Sequence, residues 1–229
     1  MMNTTRTNTG LVDFVQKQLG SPYWYGTFGR VATQAILNTV AGMYPSHYTT
    51  SRMSTYRSQL GRRTFDCIGL IKAYLWTGPS GNVTYTTSED WNADTTLARC
   101  QEKGLISTMP DLPGTLVFFP GHVGVYIGNG QVIEAQGFAH GVVRTQLRSR
   151  PWRHWGKHPL ITYQAAGPSL EINGRKVTTQ IKNEGGRIFA LLDGEGNQKH
   201  WVQIRALNDL LGGSLAWDQS TQTARMTIR

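Results

Sequence analysis

The sequence lacks any long apolar stretch. No window approaches the roughly 18 consecutive apolar residues that a membrane-spanning helix requires, so we expect no membrane insertion. The first residues, Met1 to Arg6, are not followed by an apolar segment of the kind found in secretory signals. We therefore expect a protein that is made in the cytoplasm and that reaches any target outside the cell by a non-classical route.

Cysteine is scarce as well, because the 229 residues include only Cys67 and Cys100. These two could form one disulfide, but a chain long enough to bury a core does not need one. If Cys67 is a nucleophile, a disulfide with Cys100 would make its sulfur inactive. Cys100 lies in a polar run, and we interpret it as a spare thiol.

Acidic residues are missing between Glu134 and Glu171, in a chain whose formal charge is +9. A basic surface attracts polyanions such as nucleic acid, anionic lipid or bacterial wall polymers, although it can also be a solvated face without a partner. The sequence shows no helix-turn-helix, zinc-finger or RRM signature, so we expect no nucleic acid partner. The basic side chains of this window are Arg144, Arg148, Arg150, Arg153 and Lys157.

Against this background, the stretch 65–71 stands out because it places Cys67 at the start of a predicted buried helix. Thr64 or Asp66 can cap that helix, apolar residues recur three and four positions apart, and Gly78 followed by proline ends it. Free N–H groups and the positive end of the helix dipole favour a thiolate, the nucleophilic form. The alternative is that Cys67 is simply a small buried apolar residue.

His122 lies just before a predicted hairpin, with strands over 115–119, 123–127 and 131–135. A thiolate enzyme needs an imidazole as base, and the imidazole needs a polar partner. If three residues form the loop, Ile127 pairs with Gln131, and His122, Glu134 and Gln136 share one face, with room left at Gly124 opposite Glu134. A two-residue loop would turn Glu134 away. Taken singly, His122 could be a structural loop histidine and Glu134 an exposed strand carboxylate.

The remaining pattern predicts two domains, over 1–165 and 166–229, joined by a linker near 165–169. In the first we predict a helix over 8–19, a segment over 27–64 that could line a cleft, a strand over 142–147, a closing piece over 152–157 and a last strand over 160–163. In the second we predict hairpins around 173–174 and at 215–217 with 224–228, strands over 188–192 and 201–204, and a helical turn over 206–211.

The combination of DCIGL at 66–70, GHVGVYIG at 121–128, VIEA at 132–135 and PYWYG at 22–26 resembles the NlpC/P60 family of cell-wall peptidases. The resemblance covers roughly residues 8–163. It implies a papain-like α+β fold, with helices packed on an antiparallel sheet, and cleavage of peptidoglycan stem peptides, often next to D-glutamate. We therefore expect bacterial cell-wall peptidoglycan as the partner and action at the wall.

The same resemblance implies site residues. Cys67 would be the nucleophile, His122 the base, and Tyr23 a hydrogen-bond donor near the cysteine, while we assign Asp66 and Gln136 to substrate binding. Glu134 stands where the family usually has His, Asn or Gln, and Ile68 stands where it usually has Ser. A carboxylate can orient the imidazole and would raise its basicity, and Gln136 stays open as the orienting residue.

The C-terminal motifs ING at 172–174, WVQIR at 201–205 and LAWD at 215–218 resemble the small domain named after the copper amine oxidase N-terminus, an accessory module of bacterial surface proteins. The resemblance implies a small α+β domain and no copper site. A catalytic domain followed by such a module resembles a phage lysin, which a holin would deliver to the wall.

Two other functions fit a Cys–His pair or a basic surface. One is an acyltransferase or amidase on another substrate, and the other is a non-catalytic protein that binds the cell wall or a polyanion. His154 and His158 are four residues apart, as zinc ligands on a helix can be, but Gly156 and Pro159 argue against a helix there. We expect neither a metal nor a cofactor.

Overall fold

The computed structural model divides the chain into two units, Met1–Tyr163 and Gln164–Arg229. The structure describes residues 6–78 and 81–163 of the first unit. In the second unit it describes 169–172, 175–176, 178–184, 187–193, 199–204, 214–218 and 223–227. Most of the predicted linker therefore lies outside the described residues. Among those that are described, no helix has the length and apolar character needed to cross a membrane.

The first unit is an α+β structure, which confirms the predicted fold class. Its α-helices are α1 (Asn8–Gln16), α2 (Gln34–Met43), α3 (Met53–Ser58), α4 (Cys67–Trp76) and α5 (Ala93–Arg99). Its strands are β1 (Phe28–Val31), β2 (Arg63–Phe65), β3 (Lys103–Leu105), β4 (Leu116–Phe119), β5 (His122–Gly128), β6 (Gln131–Gly137), β7 (Gly141–Gln146) and β8 (His154–Gly156). Short 3-10 turns lie at Thr50–Arg52, Thr87–Glu89, Ile106–Thr108 and Leu147–Ser149.

A six-stranded antiparallel sheet, in the order β3-β8-β4-β5-β6-β7, forms the frame of the first unit. Alternate residues of β5 and β6 are apolar and share one buried cluster with α4, as the period of two along a strand requires. Each fully buried Ile or Leu of this cluster contributes about 1.5–3 kcal/mol. The packing holds α4 across the sheet and fixes where the helix starts. The cluster includes Val123, Val125, Ile133 and Ala135 from the sheet and Leu70 and Ile71 from α4.

The start of α4 is held against the backbone near Thr27. A Cβ atom on Gly69 would lie 1.9 Å from the carbonyl oxygen of Thr27, a separation that no side chain tolerates. Glycine is therefore required for this approach. The close contact ties the N-terminus of α4, including Cys67, to the chain that leads into β1.

The segment 27–64, which had no clear sequence pattern, forms an ordered layer. It contains the β1–β2 pair, α2 and α3. A separate aromatic cluster holds this layer together: the Trp24 ring lies 5.3 Å from the Tyr56 ring and 6.2 Å from the Tyr48 ring, and the Trp24 indole donates to Gln59 at 2.7 Å. Trp24 is fully buried in this cluster and anchors the layer.

Two predicted elements of the first unit differ in the structure. α1 ends at Gln16 rather than at residue 19, because a series of turns leads from Lys17 into Gly20, which has φ of +80°. No strand forms over 160–163: Ile161 N–H donates to the His158 carbonyl in a turn, and only Thr162 makes an isolated bridge, with Thr7. The turn at Pro159 leaves too few extended residues for a ladder.

The second unit consists of β9 (Ser169–Ile172), β10 (Arg175–Lys176), β11 (Thr178–Glu184), β12 (Arg187–Asp193), β13 (Lys199–Gln203), β14 (Ser214–Asp218) and β15 (Thr223–Thr227). These strands form two sheets, β10-β9-β15-β14 and β11-β12-β13. The two predicted hairpins are confirmed by the β9–β10 and β14–β15 pairs. β11 was missed because Ile181 is its one aliphatic residue. The helix predicted over 206–211 lies outside the described residues.

Candidate active site

Cys67 is the first residue of α4, immediately after β2. Asp66 caps the helix: its Oδ1 accepts a hydrogen bond from Gly69 N–H at 2.6 Å, and its Oδ2 accepts one from Gly26 N–H at 2.9 Å. The predicted cap is thus confirmed for Asp66, whereas the Thr64 hydroxyl is buried without a partner. The cap fixes the backbone conformation from which the Cys67 side chain emerges.

The resting state of the Cys67 thiol differs from the sequence prediction. Burial raises the pKa of the thiol to about 12, and the negative charge of Asp66 adds to this rise. Backbone N–H groups of Ile68, Val123 and Cys67 itself lower the pKa, but by less. The predicted effect of the backbone N–H groups is present, but desolvation outweighs it, so that the pKa of the thiol stays raised. A nucleophilic role therefore needs a base that removes the proton during reaction.

His122 opens β5, and its two chain neighbours contact Cys67. The sulfur lies 3.8 Å from the Gly121 carbonyl oxygen, and the Val123 N–H group interacts with the sulfur from the other side of His122. Asp94 holds this turn in place, since its Oδ1 accepts a hydrogen bond from Gly121 N–H at 2.9 Å. Cysteine and histidine are thus brought together at one end of β5, although they are distant in the sequence.

Glu134 is fully buried beneath His122 and accepts a hydrogen bond from its ring, with 2.7 Å between Nε2 and Oε2. Three further bonds reach the same carboxylate: Thr145 Oγ1 to Oε1 at 2.8 Å, Arg150 Nε to Oε1 at 3.0 Å and Arg150 Nη2 to Oε2 at 3.1 Å. Burial alone raises the pKa of Glu134, but its bonds to His122 and Thr145 and the charges of His122 and Arg150 outweigh that effect and lower the pKa. An ionised carboxylate can only accept, so Nε2 carries the proton of this bond.

The hairpin register explains why this carboxylate reaches His122. Val125 pairs with Ile133, and continuing that register places Gly124 opposite Glu134 and puts His122 on the same face, as predicted. Glu134 therefore reaches His122 diagonally across the ladder. The structure assigns the orienting hydrogen bond to Glu134 rather than to Gln136.

The turn itself departs from the prediction. Gln131 pairs with Gly128 rather than with Ile127, and the register shifts by one residue between this pair and the middle of the ladder. The loop is therefore the two residues Asn129 and Gly130, with φ of 52° and 66°, a conformation typical of tight hairpin turns. The irregularity absorbs the missing loop residue, so that the expected face is kept with the shorter loop.

Two aromatic rings border the imidazole. The ring centroid of His122 lies 4.8 Å from that of Phe119 and 5.7 Å from that of Trp152, with interplanar angles of 25° and 20°. Trp152 fits there because position 124 is glycine: a Cβ atom on Gly124 would lie 2.9 Å from Trp152 Cη2 and 2.6 Å from Val132 Cγ1. The space expected at Gly124 is present, and these side chains fill it.

The structure locates the other predicted site residues as follows. Tyr23 forms a bridge with Phe65, and burial, followed by the Cys67 charge, raises the pKa of its phenol. Asp66 lines the cleft described below, but backbone N–H groups already engage both its oxygens. Gln136 is half-buried on β6, two residues beyond Glu134. The roles assigned to these three residues in catalysis or substrate binding stay predictions.

Arg150 and Thr145 are members of the site that the sequence did not reveal. Arg150 was counted with the surface cations of the 144–157 stretch, yet its guanidinium donates two hydrogen bonds to the buried Glu134 carboxylate. A single sequence carries no signal for this pairing beyond the presence of a buried carboxylate that needs a partner. Arg150 therefore does not belong to the basic surface that was predicted for this stretch.

A cleft of about 740 Å³ opens beside Cys67 and Gly121. Side chains of α2 form one wall, and residues of 85–95 form another. The proposal that the long 27–64 segment lines a cleft is confirmed. Charged residues of the cleft include Arg30, and Lys72 ion-paired with Asp90. The α2 residues in its wall are Ala35, Ile36, Thr39, Val40 and Met43.

The two histidines considered as zinc ligands have separate surroundings. His154 pairs with Phe118 in the sheet, on β8. His158 is buried, stacks on Trp91 at 5.6 Å and accepts a hydrogen bond from Leu160 N–H on its Nδ1. Among the residues that the structure describes, no cluster of three or more His, Cys, Asp or Glu side chains could hold a metal ion.

An α+β unit with a cysteine at a helix N-terminus, beside a histidine that is bonded to a buried carboxylate, has the arrangement used by thiol hydrolases. Residues 52–160 match the model of the NlpC/P60 family. The sequence is 33% identical over 97 residues to proteins named probable endopeptidase p60 from Listeria innocua and from Listeria monocytogenes. The match covers 40% of this chain and 18% of each relative.

Two solved structures also resemble the chain. One is NlpC2 from Trichomonas vaginalis, with a TM-score of 0.41, 19% identity, and coverage of 69% of this chain and 49% of that one. The other is the P60 domain of an antigen from M. avium subspecies paratuberculosis, with a TM-score of 0.39, 22% identity, and coverage of 68% of this chain and 98% of that one. The likeness to the family rests on the sequence match over 52–160.

Proposed function

We propose that this protein is a peptidoglycan endopeptidase that cleaves amide bonds in stem peptides by a thiol mechanism. The observation that carries the proposal is the contact of Cys67 with both chain neighbours of His122, whose ring is bonded to the buried Glu134. This geometry joins a nucleophile, a base and an orienting group, which is the minimum that amide cleavage through a covalent intermediate requires.

In the proposed reaction, the Cys67 sulfur attacks the carbonyl carbon of the scissile amide while its proton passes to Nδ1 of His122. The negative oxygen that develops accepts hydrogen bonds from backbone N–H groups at the start of α4. His122 then gives the proton to the leaving amine, the C–N bond breaks, and an acyl-thioester on Cys67 remains. Water, deprotonated by His122, hydrolyses the thioester and restores the thiol.

The electrostatics of the site favour this sequence of steps. Because burial raises the pKa of the thiol to about 12, the sulfur rests as a thiol, and its charge appears only as it attacks. The imidazolium formed at that moment lies 2.7 Å from the Glu134 carboxylate, which stabilises it without moving. Glu134 thus holds the ring and its tautomer in place and stabilises the charged intermediate.

The comparisons support the proposal at the level of the domain. Relatives that share residues of this domain are named endopeptidases, and one similar solved structure is titled an NlpC/P60 domain of a peptidoglycan hydrolase. The chain spans 18% of the length of the curated relatives, so its substrate and partners as a whole protein are part of the proposal.

We extend the proposal to the site of action. The exposed cations Arg144, Arg148 and Arg153 would keep the enzyme near the anionic bacterial wall. The bond next to D-glutamate is the proposed target, and the second unit is proposed as an accessory module. We also propose that the protein is a phage or prophage endolysin. It would be made in the cytoplasm and released by a holin or by another non-classical route.

Digestion of defined muropeptides tests this function. We expect a new free amine within the stem peptide, located by mass spectrometry, and no such product with Cys67→Ala, which should still bind purified wall. Products in which another acceptor replaces water would identify an acyltransferase instead. If the wild-type protein binds the wall but cleaves nothing, the endopeptidase proposal is wrong and a non-catalytic wall-binding function is supported.

A further inference from the structure

Arg150 makes the most specific contact of this region that the proposed mechanism does not use. Its Nε and Nη2 atoms bond separate oxygens of Glu134, at 3.0 and 3.1 Å, in the two-pronged geometry that arginine forms with carboxylates. Glu134 is fully buried, and the Arg150 side chain is 24% exposed. Arg150 is also held from another side, because its guanidinium carbon lies 5.4 Å from the Phe119 ring centroid.

The carboxylate therefore serves two cations when His122 is protonated. Oε2 accepts from both the His122 ring and Arg150, while Oε1 accepts from Arg150 and Thr145. A buried carboxylate facing an imidazole alone would strongly favour the imidazolium. A guanidinium on the same carboxylate opposes that preference, because its charge repels the imidazolium and offsets part of the carboxylate charge.

We propose that Arg150 is a positioning residue that shares the Glu134 carboxylate with His122 and thereby limits the proton affinity of the imidazole. The pair Arg150–Glu134 then orients the ring as a nearly neutral unit. This arrangement leaves His122 able to accept the Cys67 proton, because a base that is already protonated cannot act as one. The expected effect on catalysis rests on the proposed function. The expected effect of Arg150 on the proton affinity of His122 does not.

Other ionisable groups lie around Cys67 and His122, and of the groups named below only Glu134 and Arg150 are changed in the tests. On α4 these are Cys67 and its cap Asp66, and on α5 Asp94 bonds the Gly121 amide. Tyr23 adds a partly buried phenol close to Cys67. β6 contributes Glu134, and Arg150 follows the 3-10 turn Leu147–Ser149. β4 and β7 contribute Phe119 and Thr145, which carry no charge.

Nitrogen NMR of the imidazole rings measures the proposed effect directly. We expect the pH midpoint of the His122 titration to rise in Arg150→Met, corresponding to about a tenfold increase in proton affinity. Arg150→Lys should show a smaller rise, since the ammonium keeps the charge but not the two-pronged geometry of the guanidinium.

Arg148→Met is the matched control, because Arg148 is an exposed arginine two residues away. It removes the same charge and should leave the midpoint unchanged. An equal midpoint in wild type and Arg150→Met overturns the proposal.

A charge-balanced double variant keeps the test decisive if Arg150→Met folds poorly. Glu134→Gln combined with Arg150→Met removes one positive and one negative charge together and leaves an amide to accept from Nε2. The proposal requires the titration midpoint of His122 in this double variant to return close to the wild-type value, with Glu134→Gln alone below it. A midpoint in the double variant that stays far from the wild-type value contradicts the proposed sharing. Midpoints that move in the same direction in the two single variants contradict it as well.

Catalysis provides a second readout, distinct from folding. For Arg150→Met we expect the acidic limb of the kcat/KM profile to move to higher pH, with activity recovered at alkaline pH. A purely structural role would lower activity at every pH alike. If the wild-type protein cleaves no peptidoglycan but the NMR shifts appear, the proposed function fails and the inference on Arg150 stands. If cleavage occurs and the shifts are missing, only the inference on Arg150 fails.

Discussion

Cys67 and Cys100 lie at opposite kinds of helix end. Cys67 begins α4, where free N–H groups surround the sulfur, whereas Cys100 caps the C-terminus of α5 and its thiol donates to the Thr96 carbonyl at 3.2 Å. Cys67 borders the cleft, while Cys100 is 2% exposed and packs against Gly156. Backbone N–H groups reach the Cys67 sulfur, which also donates to the Gly121 carbonyl at 3.8 Å, whereas the Cys100 thiol donates to a helix carbonyl.

Each cysteine region also contains a histidine, and these two differ in the same way. His122 has its Nε2 on the Glu134 carboxylate and its chain neighbours on Cys67. His158 is buried in an apolar site against Trp91, and burial together with the nearby Arg6 charge lowers its pKa to about 4. The His122 ring therefore has a carboxylate partner, whereas His158 is kept neutral.

The comparison shows that the acidity of a resting thiol does not identify a nucleophile. Burial raises the pKa of Cys67 to about 12 and that of Cys100 to about 11. Acidity alone therefore does not single out Cys67. What distinguishes Cys67 is access to the cleft and a histidine beside it, so catalytic cysteines of this kind are recognised by their neighbours.

The largest expected effect separates the two cysteines by activity. Cys67→Ala should lower the release of amines from purified peptidoglycan by at least about a thousandfold, because no other group can form the acyl intermediate. Cys100→Ala should retain activity within about twofold, since that sulfur only packs. A Cys67→Ala variant with substantial cleavage would show that the comparison assigns the nucleophile wrongly.

Next in size is the loss of the carboxylate beside His122. Glu134→Gln keeps the shape but removes the charge that stabilises the imidazolium, so we expect kcat/KM to fall by about a hundredfold and the acidic limb of its profile to move to lower pH. Glu102→Gln is the matched control, because Glu102 is an exposed carboxylate whose side chain is ion-paired with Lys157, at 2.6 Å, away from His122. Equal activity of the two variants would rule out the role of Glu134.

His158 yields a stability prediction for the Cys100 region. Its pKa lies below the unfolded value of about 6.5, so only the unfolded chain gains a proton as pH falls from about 6.5 towards about 4. Stability is therefore present above this window and lost within it, by about 2 kcal/mol between pH 7 and pH 5. His158→Gln should remove that part of the pH dependence in urea unfolding. A wild-type slope that persists in the variant would show that other groups cause it.

The smallest effect tests access against acidity. Near neutral pH we expect iodoacetamide to label Cys67 at least about ten times faster than Cys100, although burial raises the pKa of both thiols, because Cys67 borders the cleft and has a base beside it. Peptide mapping after short exposures measures both rates in one sample. His122→Ala should slow Cys67 and leave Cys100 unchanged. Faster labelling of Cys100 would mean that burial decides reactivity here.

Much of the site was predictable from local patterns. The Asp66 cap and the apolar spacing after it indicated α4, and the alternation around 122–136 indicated the hairpin and the shared face of His122 and Glu134. These features depend on neighbours in the chain and on the fixed periods of helix and strand. The strand β11 and the layer over 27–64 escaped prediction, because their residues follow neither period clearly.

The sequence by itself determined the chemistry available to this protein: a cysteine that begins a helix, a histidine that begins a strand and a carboxylate on the matching face. Only the tertiary structure decided the rest: that Arg150 binds Glu134, that α2 walls the cleft, and that burial keeps the Cys67 thiol protonated. Pairings between distant residues and the desolvation of a group depend on which surfaces come into contact. Helix and strand periods describe one element at a time and do not contain that information.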